Sequence, residues 1–289
     1  MGLFFKPKKA SHDFTVDNLP SNRKEVFFDS LKLRFRDFLK LGLLLLLFSL
    51  PLIILNFVKD MMLFNMTESL TIGQITEEEF NGAYTILYLA YYAIEIIGLI
   101  VLSLGLAGAL RVIRQIAWGE PVFFSEDFAE GIKLNKGHFI VYFLFIGIFN
   151  MLNRSIMLLN IQYEILKVLP LAFSLVILFP PVLYSLAETL IYTNPIFGEY
   201  KNGFALYIKT FPTTILATIV VLLPLLLDLI PLLVIKYLIY VVFIIVLFPI
   251  ILLGEFLYFN SRLDKYINKE MYPEIYDKGI YRKENIKTK

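Results

Sequence analysis

The sequence predicts an all-α protein: a polytopic membrane bundle of about six transmembrane helices, arranged as three hairpin repeats, each preceded by a cytoplasmic interfacial helix. Three observations predict it. Apolar residues make up 58% of the chain and mean hydropathy is +0.70, above the roughly half-apolar makeup of soluble domains. They gather in runs of about 20, the length that crosses a bilayer core as a helix, without the alternation of a barrel strand. A short amphipathic pattern also recurs three times, each copy leading into such a run.

In chain order, residues 1–26 read as a polar cytoplasmic tail, in which Leu3-Phe4-Phe5 with Lys6, Lys8 and Lys9 suits lipid headgroups. The tail does not read as a cleavable signal peptide, so the first span is expected to act as an uncleaved anchor. Residues 27–259 form the membrane domain, with repeats at about 27–112, 120–192 and 195–259. Spans are expected at about 39–58, 83–110, 139–157, 168–192, 212–233 and 235–259. Only a turn around Asp228 and Pro231 separates the last two, which leaves a single broken re-entrant pair open. Residues 260–289 read as a charged cytoplasmic tail.

The recurring pattern is Asp29-Ser30-Leu31-Lys32-Leu33 with Phe38, Glu130-Gly131-Ile132-Lys133-Leu134 with Phe139, and Asn202-Gly203-Phe204-Ala205-Leu206 with Phe211. Copies two and three share an upstream Pro121-Val122-Phe123 and Pro195-Ile196-Phe197. The Ser or Gly is expected where the chain turns from a surface helix into the membrane, since glycine tolerates backbone angles that other residues avoid.

Charge distribution orients the spans. The N-terminal segment through Lys40 carries nine Lys and Arg, residues 111–138 four, 193–211 two and 260–289 eight. The opposite side has only Lys59, Arg154, Lys167 and Lys236, and its 59–82 loop is acidic. By the positive-inside rule, the protein is a multi-pass cell-membrane protein with both termini cytoplasmic.

The stretch Gly119-Glu120-Pro121, Asp127-Phe128, Gly131, Lys133 and Asn135, followed by an apolar span, resembles the signature of the YesL-like proteins, an uncharacterised family of bacterial integral membrane proteins. Gly105-Leu106-Ala107-Gly108-Ala109 and Ser49-Leu50-Pro51 fit the same pattern, and the resemblance covers roughly residues 30–180. The chain departs from it in lacking a polar Asn or Trp in the first span and in its longer C-terminus. The resemblance implies a link to carbohydrate uptake and brings no catalytic residues.

Ionisable residues within spans are the candidate site, because a charge in hydrocarbon is costly. Glu95 is deepest, about 15 residues or roughly 22 Å of helix from Arg111. It reads either as a proton or cation site or as a carboxylate held by Tyr88, Tyr91 or Tyr92. Aligning Pro121 with Pro195 sets Arg114 opposite Glu188, with Glu255 at a similar depth. These three read as a structural ion pair that locks helix register or as a gate or anion site. Pro170, Pro180, Pro181, Pro224 and Pro249 break backbone bonding in or near spans, as at a transporter site or in kinked packing helices.

Cysteine is absent and the histidines are His12 and His138, so Cys- or His-based metal clusters are excluded, and no cofactor is expected. No phosphate loop, dinucleotide fingerprint or nucleophile elbow occurs. A net charge of +2 gives no reason to expect nucleic acid. The expected function is a non-enzymatic accessory or scaffold whose partners are the lipid bilayer and other membrane transport components; the alternative is a small secondary transporter or channel using the intramembrane acids.

Overall fold

Capping chemistry sets the first helix ends. In the computed structural model, which describes residues 19–159 and 161–281, α1 (Arg23–Thr71) starts where the Asn22 side chain accepts the Glu25 amide at 3.0 Å. Thr76 and Glu79 form a reciprocal capping box at the start of α2 (Glu77–Trp118), which ends at Gly119 with φ 69°, a left-handed angle that suits glycine. Then come α3 (Phe124–Leu158), α4 (Glu164–Thr189), α5 (Ile196–Lys209), α6 (Phe211–Leu229) and α7 (Leu233–Met271). No strand occurs among the described residues. All of these helices but α5, six in number, are long and apolar enough to cross a membrane. Ile97, Leu216 and Val234 stand 64%, 65% and 81% exposed along them, an apolar surface that suits lipid rather than water. The Leu3-Phe4-Phe5 reading lies outside the described residues.

The helices outrun the expected spans. α1 has 49 residues, about 73 Å at 1.5 Å per residue, against a hydrocarbon core of about 30 Å. The expected 59–82 loop is therefore helix except for a turn over 72–76, and the expected 111–138 loop is the end of α2 and the start of α3. Polar residues beyond the apolar stretch remain helical because they pair across the hairpin: Arg111 meets Glu130 at 2.5 Å, and Gln115 donates to Asp127 at 2.8 Å.

Residues from 260 onward are likewise not a free tail as far as they are described. α7 continues to Met271, and the chain folds back so that Tyr281 N donates to Pro20 O at 2.9 Å. Arg23 holds Asp264 at 2.5 Å and the Lys278 carbonyl at 2.8 Å. Lys278 in turn meets Glu120 at 2.5 Å and lies 4.6 Å from the Trp118 ring centroid. Both described ends of the chain thus meet at one end of the bundle, as an even number of long helices requires.

None of the three amphipathic copies turns at its Ser or Gly. α1 breaks at Arg34 (φ −121°, ψ 17°), four residues past Ser30. α5 ends at Thr210 (φ −124°, ψ 19°), seven past Gly203, and α3 runs unbroken through Gly131. The glycines are contact points instead. A Cβ at Gly131 would lie 2.8 Å from both Ala107 O and Arg111 Cβ. A Cβ at Gly203 would lie 2.6 Å from Pro181 O and 3.1 Å from Ser185 Oγ. Ala107 and Pro181, and Arg111 and Ser185, are each 74 positions apart, the same offset that joins Pro121 to Pro195.

A second internal match escaped the amphipathic pattern. Residues 175–183 (LVILFPPVL) and 244–252 (IIVLFPIIL) correspond position by position. Each match overlaps a π-helical turn, Ser174–Leu178 in α4 and Phe243–Leu247 in α7, in which the following Phe amide bonds back five residues. The next residue is Pro, so the carbonyl four residues before it, Val176 or Ile245, loses its helical donor. Tyr207 of α5 donates its hydroxyl to Val176 O at 2.5 Å. Gly42 of α1 packs so closely on Ile245 that a Cβ there would overlap its carbonyl. These two prolines create docking points for neighbouring helices. Tyr207→Phe strands the Val176 carbonyl and is expected to cost about 1–3 kcal/mol. Thermal unfolding in detergent checks this; an unchanged midpoint would mean that Val176 has another donor.

The core fills the half of the bundle that carries the termini, where Phe38, Leu41, Ile113, Phe139, Val182 and Leu253 are buried. Packing thins towards the distal end. Segments 164–173 and 223–229 bury no residue, and 233–242 bury only Lys236.

Candidate functional site

The four sequence-predicted residues are not bonded to one another. Glu95 sits in the distal half, where α2 faces α1 and α3. Its Oε2 accepts from Asn150 Nδ2 at 2.8 Å and its Oε1 from the Tyr91 hydroxyl at 3.2 Å. Tyr91 has one hydroxyl hydrogen and shares it with Asn56 Oδ1 at 2.8 Å. Of the three tyrosines expected near it, Tyr91 bonds Glu95.

The contacts continue beyond Glu95. Lys59 lies 4.6 Å from the Tyr91 ring centroid and 3.3 Å from Asp60. Asp60 Oδ2 accepts from Lys236 at 2.8 Å and from the Tyr237 hydroxyl at 2.9 Å. Lys236 also meets Asp228 at 2.8 Å. One chain of polar contacts therefore runs through α1, α2, α3, α6 and α7 at the end where apolar packing is thinnest. The sequence reads Asp60 as part of the acidic 59–82 loop, Asp228 as part of a turn and Lys236 as a cation on the same side. It had no means of seeing that Asp60 and Lys236, 176 positions apart, meet.

At the termini-bearing end, Arg114 and Glu188 do not pair. Arg114 Nη1 donates to the Leu190 carbonyl at 2.6 Å, its guanidinium lies 5.0 Å from the Trp118 ring centroid, and Glu120 is 3.9 Å away. The physical reason is that the last carbonyls of α4 lack intrahelical donors and attract a cation. Glu255 Oε2 is buried without a hydrogen-bond partner, so it joins neither Arg114 nor Glu188. The expected three-residue set is not assembled.

Glu188 has another neighbour instead. The turn after α4 folds α5 back so that Glu199, which the sequence reading did not single out, bonds Thr189, the residue next to Glu188. Both carboxylates have 0% exposure. Asn202 Nδ2 donates to Glu188 at 3.3 Å. Glu199 Oε2 accepts from Thr189 at 2.9 Å and Tyr142 at 2.8 Å, and lies 2.9 Å from His138 Nδ1. His138 and Tyr142 are four apart on one face of α3, and that spacing is the signal that pointed to this cluster.

A cavity of about 390 Å³ opens between α1 and α7, with Arg23, Lys24, Phe27, Phe28, Leu257 and Tyr258 among its walls. None of Glu95, Arg114, Glu188 and Glu255 lines it. No protein family matches this chain, and neither does any curated protein or solved structure.

Proposed function

We propose that this protein is a non-enzymatic membrane accessory or scaffold that assembles with membrane transport components. The observation that carries the reading is the Asp60–Lys236–Asp228 bridge: charged residues on the apolar helices are spent on one another, tying α1, α6 and α7 together. A transporter needs such groups on one accessible cavity; no hydrogen bond or ion pair among the described residues joins Glu95, Arg114, Glu188 and Glu255, and none of them lines the cavity beside α1. The resemblance to the YesL-like family adds a link to carbohydrate uptake. The excess of Lys and Arg at the termini-bearing end supports cytoplasmic termini and a cell-membrane location.

The three-repeat architecture belongs to the same reading. Its support is the shared glycine contact of Gly131 and Gly203, the matched break angles at Arg34 and Thr210, and the matched π-turns. Interfacial placement of the amphipathic segments remains part of the proposal for residues 23–33 and for α5.

Two experiments test this. Reporters fused to either terminus are expected to read cytoplasmic and one inserted at Glu78 to read external; an external C-terminus overturns the orientation. Proteoliposomes of the purified protein are expected to show no charge movement when protons, alkali ions or sugars are offered across the membrane. A current that Glu95→Gln abolishes would replace the accessory with a transporter.

A further inference from the structure

The accessory reading leaves the buried acids of the termini-bearing end unused. Glu188 and Glu199 are each 0% exposed, and each keeps one oxygen, Oε1, without a hydrogen-bond partner among the described residues. Carboxylate lone pairs left bare at such depth are costly unless something neutralises them. The neighbouring groups do so only in part. From α3 come His138 and Tyr142, both on Glu199. Arg114 of α2 is engaged by the Leu190 carbonyl, Tyr192 is bound to Asn268, and Asp264 of α7 is paired with Arg23. His138 is thus, among the described residues, the one cation-capable side chain bonded to the pair, and its side chain is 30% exposed. Among the described residues no three His, Cys, Asp or Glu side chains group as metal ligands.

We infer that Glu188 and Glu199 form a proton-binding site that exchanges with the termini-bearing side of the membrane through His138. Loading adds one proton to a carboxylate oxygen of the pair. The imidazole takes a proton from water on Nε2 and passes the one on Nδ1 to Glu199 Oε2, leaving a neutral ring; unloading runs in reverse. No other bond forms or breaks. The route to water that the bonds supply runs through His138, and the site, as a binding site, stands independently of the accessory reading.

Infrared spectroscopy of the full-length protein in nanodiscs at neutral pH tests this. The wild type is expected to show protonated-carboxyl absorption with a component that is lost in both Glu188→Gln and Glu199→Gln, because either change removes half of the shared site. Glu255→Gln is expected to leave that component in place. His138→Gln, which can still donate to Glu199 but cannot relay a proton, is expected to keep the component and slow its hydrogen–deuterium shift about 100-fold, the lower end of what a positioned proton-transfer group contributes. Protonated-carboxyl absorption that neither glutamate substitution reduces overturns the proposal, as does exchange that His138→Gln leaves unchanged. Should a glutamate variant fail to fold, magnetic resonance of carboxyl-labelled glutamate in the wild-type protein reads the same protonation. Only fully ionised carboxylates at neutral pH would then contradict the site.

Discussion

Lys236→Met is expected to release the distal end of the bundle and lower stability by about 3 kcal/mol, the lower end of the usual cost of stripping one partner from a buried ion pair. The Lys236 side chain is 6% exposed and its partner Asp60 12%, whereas Asp228 is 48% exposed and regains water when the lysine is lost. Asp60 keeps Lys59 at 3.3 Å, which holds the expected cost at that lower end. The effect is local as well as global, because Lys236 is the one buried residue in segment 233–242. Hydrogen exchange over 223–242 should rise more than exchange near Ile113. The double variant Asp60→Asn, Lys236→Met removes both charges and should recover part of the loss. Additive losses in unfolding measurements would mean that the two charges do not interact.

Gly42→Ala is expected to destabilise the protein by about 1–3 kcal/mol through overpacking, while Gly137→Ala should stabilise it by about 1 kcal/mol through helix propensity. Both glycines lie inside helices. The Gly42 Cβ would overlap the Ile245 carbonyl, a backbone atom in a π-turn, whereas nothing lies within 4 Å of a Cβ at Gly137. Gly98 is intermediate, since its Cβ would meet the flexible end of Leu52 at 2.5 Å. The opposite signs are the test: two substitutions of the same chemistry, compared by thermal unfolding in one detergent. A stabilising Gly42→Ala would place α1 further from α7 than it stands here.

The helical class was legible in the sequence, and the apolar runs marked all six membrane-length helices. Transfer of a side chain into hydrocarbon is a local property, so runs of about 20 apolar residues report themselves without neighbours. The helix ends were less legible. Residues 59–71 and 111–118 are polar enough to read as loops, yet they remain helical because partners such as Glu130 and Lys236 lie on neighbouring helices. The Ser and Gly of the amphipathic copies were correctly singled out but given the wrong task. Small residues serve turns and close packing equally well, and only the neighbour at Gly131 or Gly203 distinguishes the two.

The candidate site shows the same division. Glu95 with Tyr91 is a contact within one helix turn, and the sequence carried it. Arg114 with the Leu190 carbonyl, Glu199 with His138, and Arg23 with Asp264 join positions 76, 61 and 241 apart. An arginine near a glutamate in an alignment has many acceptors within reach, including bare helix-terminal carbonyls that no side-chain pattern displays. Composition and periodicity therefore settled that this chain forms apolar helices of membrane length, because burial in lipid is written residue by residue. Which charges meet, and which buried acids keep a bare oxygen, came from how those helices pack, because ion pairing depends on distances that the linear order does not contain.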